Sequence, residues 1–374
     1  MLVVLRVKKI PHFHGGFLYL PGYRPLPIAI STMKLIASIA LLSLYYGASA
    51  QTLGGNTVYN FLNLPNAPQL TALGGINIST LTDDVSMSFN NPALLRPSMH
   101  MQLNTSFNSM YAGIKNYSLC MATYSSHLQT TFAIGANYFD YGNITQTDAS
   151  GNILGEFHPA DYVVQVAAAR QYEKKWFYGF TFKFIHSAYG LYRSSGAAMD
   201  FGVNYHDSAH LFQAAFVARN MGVQFKAYNG TTPGDLPFDL ELGITKRLEK
   251  APLQFSFTAF HLQQFNISYI DTSFNNNNGF DQSDPHSSFT VDKLFRHFIF
   301  AAQAFPENRV EITVAYNYLR RKELNIGNAG NGFTGLSFGL GVLFRKWQLR
   351  YARSYYQNNS GYNQFGLNLQ LNDQ

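Results

Sequence analysis

Residues 310–318 read VEITVAYNY. Val310, Ile312, Val314, Tyr316 and Tyr318 fall on one side of an extended chain, and Glu311, Thr313 and Asn317 fall on the other. A period of two with one apolar and one polar side marks a half-buried β-strand. The pattern recurs in both directions. Phe238, Leu240, Leu242 and Ile244 oppose Asp239, Glu241, Gly243 and Thr245. Tyr178, Phe180, Phe182 and Phe184 oppose Gly179, Thr181 and Lys183. Phe365, Leu367, Leu369 and Leu371 oppose Gly366, Asn368 and Gln370, and Met99–Phe107 alternate likewise.

About fourteen such segments follow residue 98, near 99–107, 117–125, 129–139, 161–172, 175–187, 196–205, 210–220, 238–247, 252–262, 293–305, 308–319, 332–345, 346–356 and 361–371. An even number suits a closed antiparallel barrel. Tight connections are expected after every second segment and longer ones after the others, notably 140–160, 221–237, 263–292 and 320–331. Strict short–long alternation would place all turns at one rim and all loops at the other, as in outer-membrane barrels. In this register Lys183, Asp200, Arg219, Asp239, Glu241, Glu311 and Arg350 point into the bore. An Arg or Lys on the lipid side near the midplane would cost roughly 2–4 kcal/mol. Aromatics at segment ends (Tyr138, Phe139, Tyr141, Trp176, Phe177, Trp347, Tyr355 and Tyr356) are expected to form interfacial girdles.

Composition agrees. Charged residues make up 13% of the 374 residues and aromatics 16%, against about a quarter charged in an average soluble domain. Mean hydropathy is only -0.11, and no run after residue 50 is apolar for long enough to form a spanning helix. The net charge of +6 comes largely from Arg6, Lys8, Lys9, Arg24 and Lys34, which precede any acid. The rest of the chain is nearly neutral and has no basic stripe for nucleic acid. The single cysteine, Cys120, excludes an internal disulfide and any multi-cysteine metal site.

The stretch before the strands, Leu53–Leu95, reads LGGNTVYNFLNLPNAPQLTALGGINISTLTDDVSMSFNNPALL. It keeps neither a helical nor a strand period. Gly54–Gly55 and Gly74–Gly75 bracket a middle interrupted by Pro65 and Pro68, and Asn90-Asn91-Pro92 closes it. A segment this apolar and irregular needs an enclosure, and the bore of a barrel supplies one. Residues 51–98 are therefore expected to plug the barrel, with Asn90, Asn91, Pro92, Asp83 and Asp84 as the plug's characteristic residues. Asp83 and Asp84 are expected to cap a local turn.

Upstream, Met33-Lys34, an apolar core and Ala48-Ser49-Ala50 form a secretory signal over residues 33–50. Residues 1–32 then read as an extension from a misplaced start. HExxH and GxxxxGK[ST] are absent, and GxSxG matches at Gly335–Gly339 alone. Gly335, Gly339 and Gly341 fall in an alternating segment, where small inward residues leave room for the plug. Ser194 and Ser195 read as a loop without a partnered histidine, and an outer-membrane lipid hydrolase would need a Ser/His pair in the wall. His127, His206, His210, His286 and His297 lack metal-ligand spacing. Asp271–Asp284 is rich in oxygen ligands but lacks EF-hand order. As the longest expected loop, carrying Phe274 and Phe280, it is the first candidate for a partner-docking surface.

The runs GGNTVYNFLNLPNAPQLTALGG and DDVSMSFNNPALL, with Gly151–Gly155 and Leu236–Asp239, resemble the PorQ family of the type IX secretion system. The resemblance implies a fourteen-stranded, FadL-like barrel without catalytic residues or a cofactor. It implies work in a cell-surface attachment complex beside PorV-like, PorU and PorZ proteins. That complex processes secreted cargo and attaches it to surface lipopolysaccharide. The Asn-Pro-Ala ending occurs more widely in FadL-like barrels, so a channel for hydrophobic molecules is the alternative reading.

Overall fold

The computed structural model describes residues 57–265, 267, 291–323, 332–357 and 360–372. The signal and extension expected over residues 1–50, Phe274, Phe280 and the Asp271–Asp284 loop lie outside the described residues.

Among the described residues, sixteen strands run in chain order. They are β1 Gln102–Ser109, β2 Lys115–Ser125, β3 Thr130–Asp140, β4 Ile144–Thr147, β5 Ile153–Phe157, β6 Ala160–Tyr172, β7 Trp176–Tyr189 and β8 Tyr192–Asp207. The rest are β9 Phe212–Lys226, β10 Asp239–Arg247, β11 Leu253–Ala259, β12 Phe298–Ala304, β13 Val310–Asn317, β14 Leu336–Leu343, β15 Trp347–Gln357 and β16 Ser360–Gln370. Fourteen of them close into one antiparallel barrel; β4 and β5 form a separate hairpin. Closure is made by β1 against β16, from Gln102 opposite Gln370 to Ser109 opposite Asn363. The all-β, fourteen-stranded barrel expected from the alternation is the observed fold.

The pleat explains which side faces which medium. All seven charged residues placed in the bore by parity are buried there: Lys183, Asp200, Arg219, Asp239, Glu241, Glu311 and Arg350. Their neighbours one position away, such as Phe182, Phe184, Leu242, Ile312 and Leu349, stand exposed on the outside. An apolar exterior over a polar interior inverts the soluble pattern and matches a barrel set in hydrocarbon. No described helix is long and apolar enough to cross a membrane.

Three expectations are corrected. First, loop length does not alternate strictly. One rim carries only tight turns (126–129, 173–175, 208–211, 248–252, 305–309 and 344–346). The other mixes long connections with the short 110–114 and 190–191. Strand β9 continues to Lys226 through residues read as loop, with Met221, Val223 and Phe225 outward and Gln224 buried. Second, the girdle is thinner than expected. Phe139 and Phe177 are buried in the bore, because neighbours on a strand point to opposite faces and Tyr138 and Trp176 take the outward side. Tyr356 stacks on Tyr362 at 4.3 Å. Third, the strand expected from residue 99 starts at Gln102. Pro97–Met99 is a 3-10 turn, and Met99 is buried against the inner wall.

At the loop rim the short helices Val291–Phe295 and Tyr318–Glu323 are tied together by Asp292. It accepts from the Tyr318 hydroxyl at 2.6 Å and pairs with Arg296 at 2.9 Å and Lys322 at 3.1 Å. Burial pushes this carboxyl up, but the hydrogen bonds from Tyr318, Lys322 and Arg296 outweigh it and hold the pKa at about 2. An acid held below its unfolded value stabilises the fold above about pH 4, and that contribution is lost as pH falls through the folded value. Pepsin nicking between residues 291 and 323 is therefore expected to accelerate from pH 4 to pH 2. Asp292→Asn should raise nicking at pH 4 and flatten the rise.

Candidate functional site

The bore is where the chain's unusual chemistry converges. Tyr59, Phe61, Leu70, Leu73, Ile78, Val85, Met87, Leu94 and Leu95 of the N-terminal segment are all buried, and they share apolar clusters with inward residues of the strands. Phe61 meets Phe139 edge-on at 5.5 Å. Val85 and Phe89 pack with Cys120, Ala122 and Ala133.

Local sequence sets the segment's path. Proline at the first helical position starts the helix Pro68–Ala72 and the 3-10 turns Pro92–Leu94 and Pro97–Met99. Gly74 (φ 95°) and Gly75 (φ 101°) then reverse the chain in a backbone region that glycine adopts without strain. Asp84 caps the 3-10 turn Val85–Phe89 by accepting from Ser86 N at 3.0 Å, and Asn91 caps Pro92–Leu94 by accepting from Ala93 N at 2.9 Å.

Four arginines join segment to wall. Arg350 on β15 donates to Asp84 Oδ2 at 3.0 Å and to Glu311 at 3.3 Å. Arg219 on β9 donates to Asn90 Oδ1 at 2.7 Å, to Glu241 at 2.9 Å and to the Leu62 carbonyl at 3.0 Å. Arg320 donates to the Gly74 carbonyl at 3.1 Å and to Ser354 at 2.6 Å, with its guanidinium 4.0 Å over the Tyr356 ring. In the reverse sense, Arg96 of the segment lies 3.5 Å over Phe177 and donates to Asn204 at 3.1 Å. Each buried cation thus has acceptors or an aromatic face, as burial in low dielectric demands. Lys183 and Asp200 pair within the wall at 2.6 Å.

Glycine shapes the wall. Gly135, Gly179, Gly196, Gly202, Gly243, Gly339 and Gly366 sit on six strands, and a Cβ at each would meet Phe89, Pro92, Tyr59, Asn91, Ile78, Ala72 and Pro68 respectively. Inward glycines let the segment's backbone approach the sheet closely. An internal cavity of ≈ 30 Å³, lined among others by Leu62, Asn90, Asn137, Gln165 and Arg219, has room for water and not for a lipid-sized ligand. A second recess of ≈ 250 Å³ lies between Leu95, Pro97 and the wall residues Thr131, Ala169 and Phe177.

The residues singled out from sequence are placed as follows. Asp84, Asn90, Asn91 and Pro92 are buried, and the first two meet wall arginines directly. Asn90 and Asn91 also donate to the Asn77 and Ile78 carbonyls at 2.8 and 2.7 Å. Asp83 exposes its side chain; its carbonyl accepts from Gln102 at 2.8 Å and Asn368 at 2.7 Å. Gly339 faces Ala72, but Gly335 precedes β14 with φ 89° and lies against Asn317 and Arg321. Ser194 and Ser195 are in β8, not a loop. Ser194 binds Tyr59, Gln224 and the Lys226 carbonyl, and Ser195 is 2.9 Å from His186 Nδ1. A Ser/His pair is thus present in the wall. Among the described residues no carboxylate hydrogen-bonds to His186, so the pair lacks the orienting third group of a nucleophilic triad. No described cluster of His, Cys, Asp or Glu is arranged to hold a metal. Arg320, Arg96 and three of the wall glycines (Gly135, Gly196 and Gly202) are not singled out by the sequence reading. The glycines have a signal in the sequence, an inward parity in strand after strand; Arg320 and Arg96 lie outside the strands and have none.

These features define an outer-membrane-type β-barrel. Among solved structures it is similar to a CymD monoaromatic hydrocarbon channel, at 12% identity over 83% of this chain and 99% of that one, TM-score 0.47. It is also similar to a TodX monoaromatic hydrocarbon channel mutant (11% identity, 81% and 97%, TM-score 0.45) and a Pseudomonas aeruginosa FadL homologue (9%, 82% and 98%, TM-score 0.44). No family model and no curated protein matches the chain.

Proposed function

We propose that this protein is a non-enzymatic outer-membrane scaffold, a plugged barrel that anchors the type IX attachment complex at the cell surface. The observation that carries the reading is the bore: the N-terminal segment is held by arginines of β9, β15 and the loop-rim helix Tyr318–Glu323 and packed against glycines of six strands. A filled, cross-tied interior suits a rigid platform better than a conduit. The assignment to type IX secretion rests on the resemblance of residues 54–95 and the later runs to the PorQ family. Its partners would be the PorZ, PorU and PorV-like proteins, together with outer-membrane lipid and lipopolysaccharide.

The competing reading, a FadL-like channel for hydrophobic molecules, requires a greasy passage from the loop rim to the segment. Mild solubilisation followed by native mass spectrometry separates the two. The scaffold predicts co-purification of a protein partner and no current across planar bilayers. A bound hydrophobic small molecule released by ligand competition would favour the channel. Deletion of the gene should leave secreted cargo unprocessed or shed, with fatty-acid uptake unchanged.

A further inference from the structure

An apolar recess of ≈ 400 Å³ lies across β10–β13, within the roughly 300–1,000 Å³ range of small-molecule sites. It opens on the outer side of the barrel: Phe255, Phe300 and Val314 of its lining are 48%, 39% and 40% exposed. Its floor is explained by the register. Ala302 stands opposite Phe255 on β11 and Val314 on β13, so a methyl sits where the surrounding outward positions carry large side chains. Phe257 and Phe300, 5.2 Å apart, wall the side toward the loop rim. The lining contains one cation, Lys246, and no acid. Lys246 is opposite Phe255, exposed, and one residue from the turn-side end of β10. A lysine beside an apolar outward surface reaches for the headgroup layer. Its ammonium donates to the His210 carbonyl, which leaves two donors for an anion.

We propose that this recess is a specific phospholipid site. An acyl chain lies over Ala302 between Phe255 and Val314, and the anionic phosphate meets Lys246 in the leaflet at the turn rim. The site rests on the membrane placement proposed above but not on the secretion role.

The test reconstitutes the full mature chain in vesicles of equal parts phosphatidylethanolamine and phosphatidylglycerol, extracts it in mild detergent and weighs it by native mass spectrometry. One retained phospholipid per barrel is expected, enriched in phosphatidylglycerol. Lys246→Gln should lower its occupancy about fivefold. Ala302→Phe, which fills the recess, should remove it, and Leu340→Phe on the outward face of β14 should not. A folded barrel that carries only detergent, or an adduct unchanged by both recess substitutions, overturns the proposal. So does a lipid-free dimer dispersed by Ala302→Phe, which would assign the recess to a second copy. Failure to enter vesicles at all would overturn the membrane placement with it.

Discussion

Replacing Arg350 with methionine is expected to destabilise the folded protein by about 3–5 kcal/mol, because one partner of a buried ion pair is removed and the other is stranded. Two carboxylates are stranded here. Arg350 is the cation for Asp84 on the segment and for Glu311 on β13, and both acids are buried. Their mutual repulsion in a poorly solvated bore adds to the loss of attraction. Adding Asp84→Asn to Arg350→Met should recover part of the loss, since one stranded charge becomes a neutral amide. Denaturant titration followed by tryptophan fluorescence reads both effects. An Arg350→Met protein as stable as the parent would mean that the segment is not tied to β15.

Substituting Gly179 with valine should loosen the segment without removing a charge. A Cβ there would sit 2.5 Å from the Pro92 carbonyl carbon and 2.6 Å from Ala93 N. Backbone atoms cannot swing aside as a flexible side-chain tip can, so the turn Pro92–Leu94 must move. Overpacking of a filled core costs typically 1–3 kcal/mol, which raises the open population roughly ten- to a hundredfold. The protein's only thiol reports on it. Cys120 is fully buried against Val85 and Ser88, so its modification by a soluble maleimide should accelerate by that factor. Gly332→Val is the control: a Cβ at Gly332 meets nothing within 4 Å. Equal labelling rates in the two variants would contradict the close fit of segment to wall.

Strand parity made the barrel readable. Each strand separates hydrocarbon from a polar bore, so a simple two-residue period carries the whole inside–outside assignment. That is why the inward positions of Lys183, Asp200, Arg219, Asp239, Glu241, Glu311 and Arg350 follow from the residue pattern alone. The same rule, applied strictly, also rejects a girdle containing both Tyr138 and Phe139, or both Trp176 and Phe177. Aromatic clustering at strand ends is a weaker guide than parity. The long β7–β9 strands and the β4–β5 hairpin were less visible. The β4–β5 hairpin is exposed almost throughout and carries no apolar period. Strand β9 past Asn220 does keep one, with Met221, Val223 and Phe225 outward against Gln224, but the glycine- and proline-rich residues 227–237 that follow mark a loop and draw its boundary back.

The segment was legible as something enclosed but not in its contacts. Proline, glycine pairs and a missing period mark irregular backbone, and the buried caps Asp84 and Asn91 follow from ordinary turn chemistry. What Asp84 and Asn90 pair with lies 266 and 129 residues away in sequence. No local pattern encodes such separations. Ser195 illustrates the same limit: His186 stands opposite across the β7–β8 ladder, a neighbour that the loop reading had removed.

The central claim, a bore occupied by the N-terminal segment in a fixed register, is tested most directly by a cross-link from segment to wall. Ser79 and Thr245 are both buried, with side-chain oxygens 2.8 Å apart. In a Cys120→Ser background, Ser79→Cys with Thr245→Cys should oxidise spontaneously in the folded barrel, and peptide mass spectrometry should recover the two cysteines in one linked species. Two free thiols that stay unlinked under oxidising conditions, in protein that still runs as a folded barrel, would contradict the account.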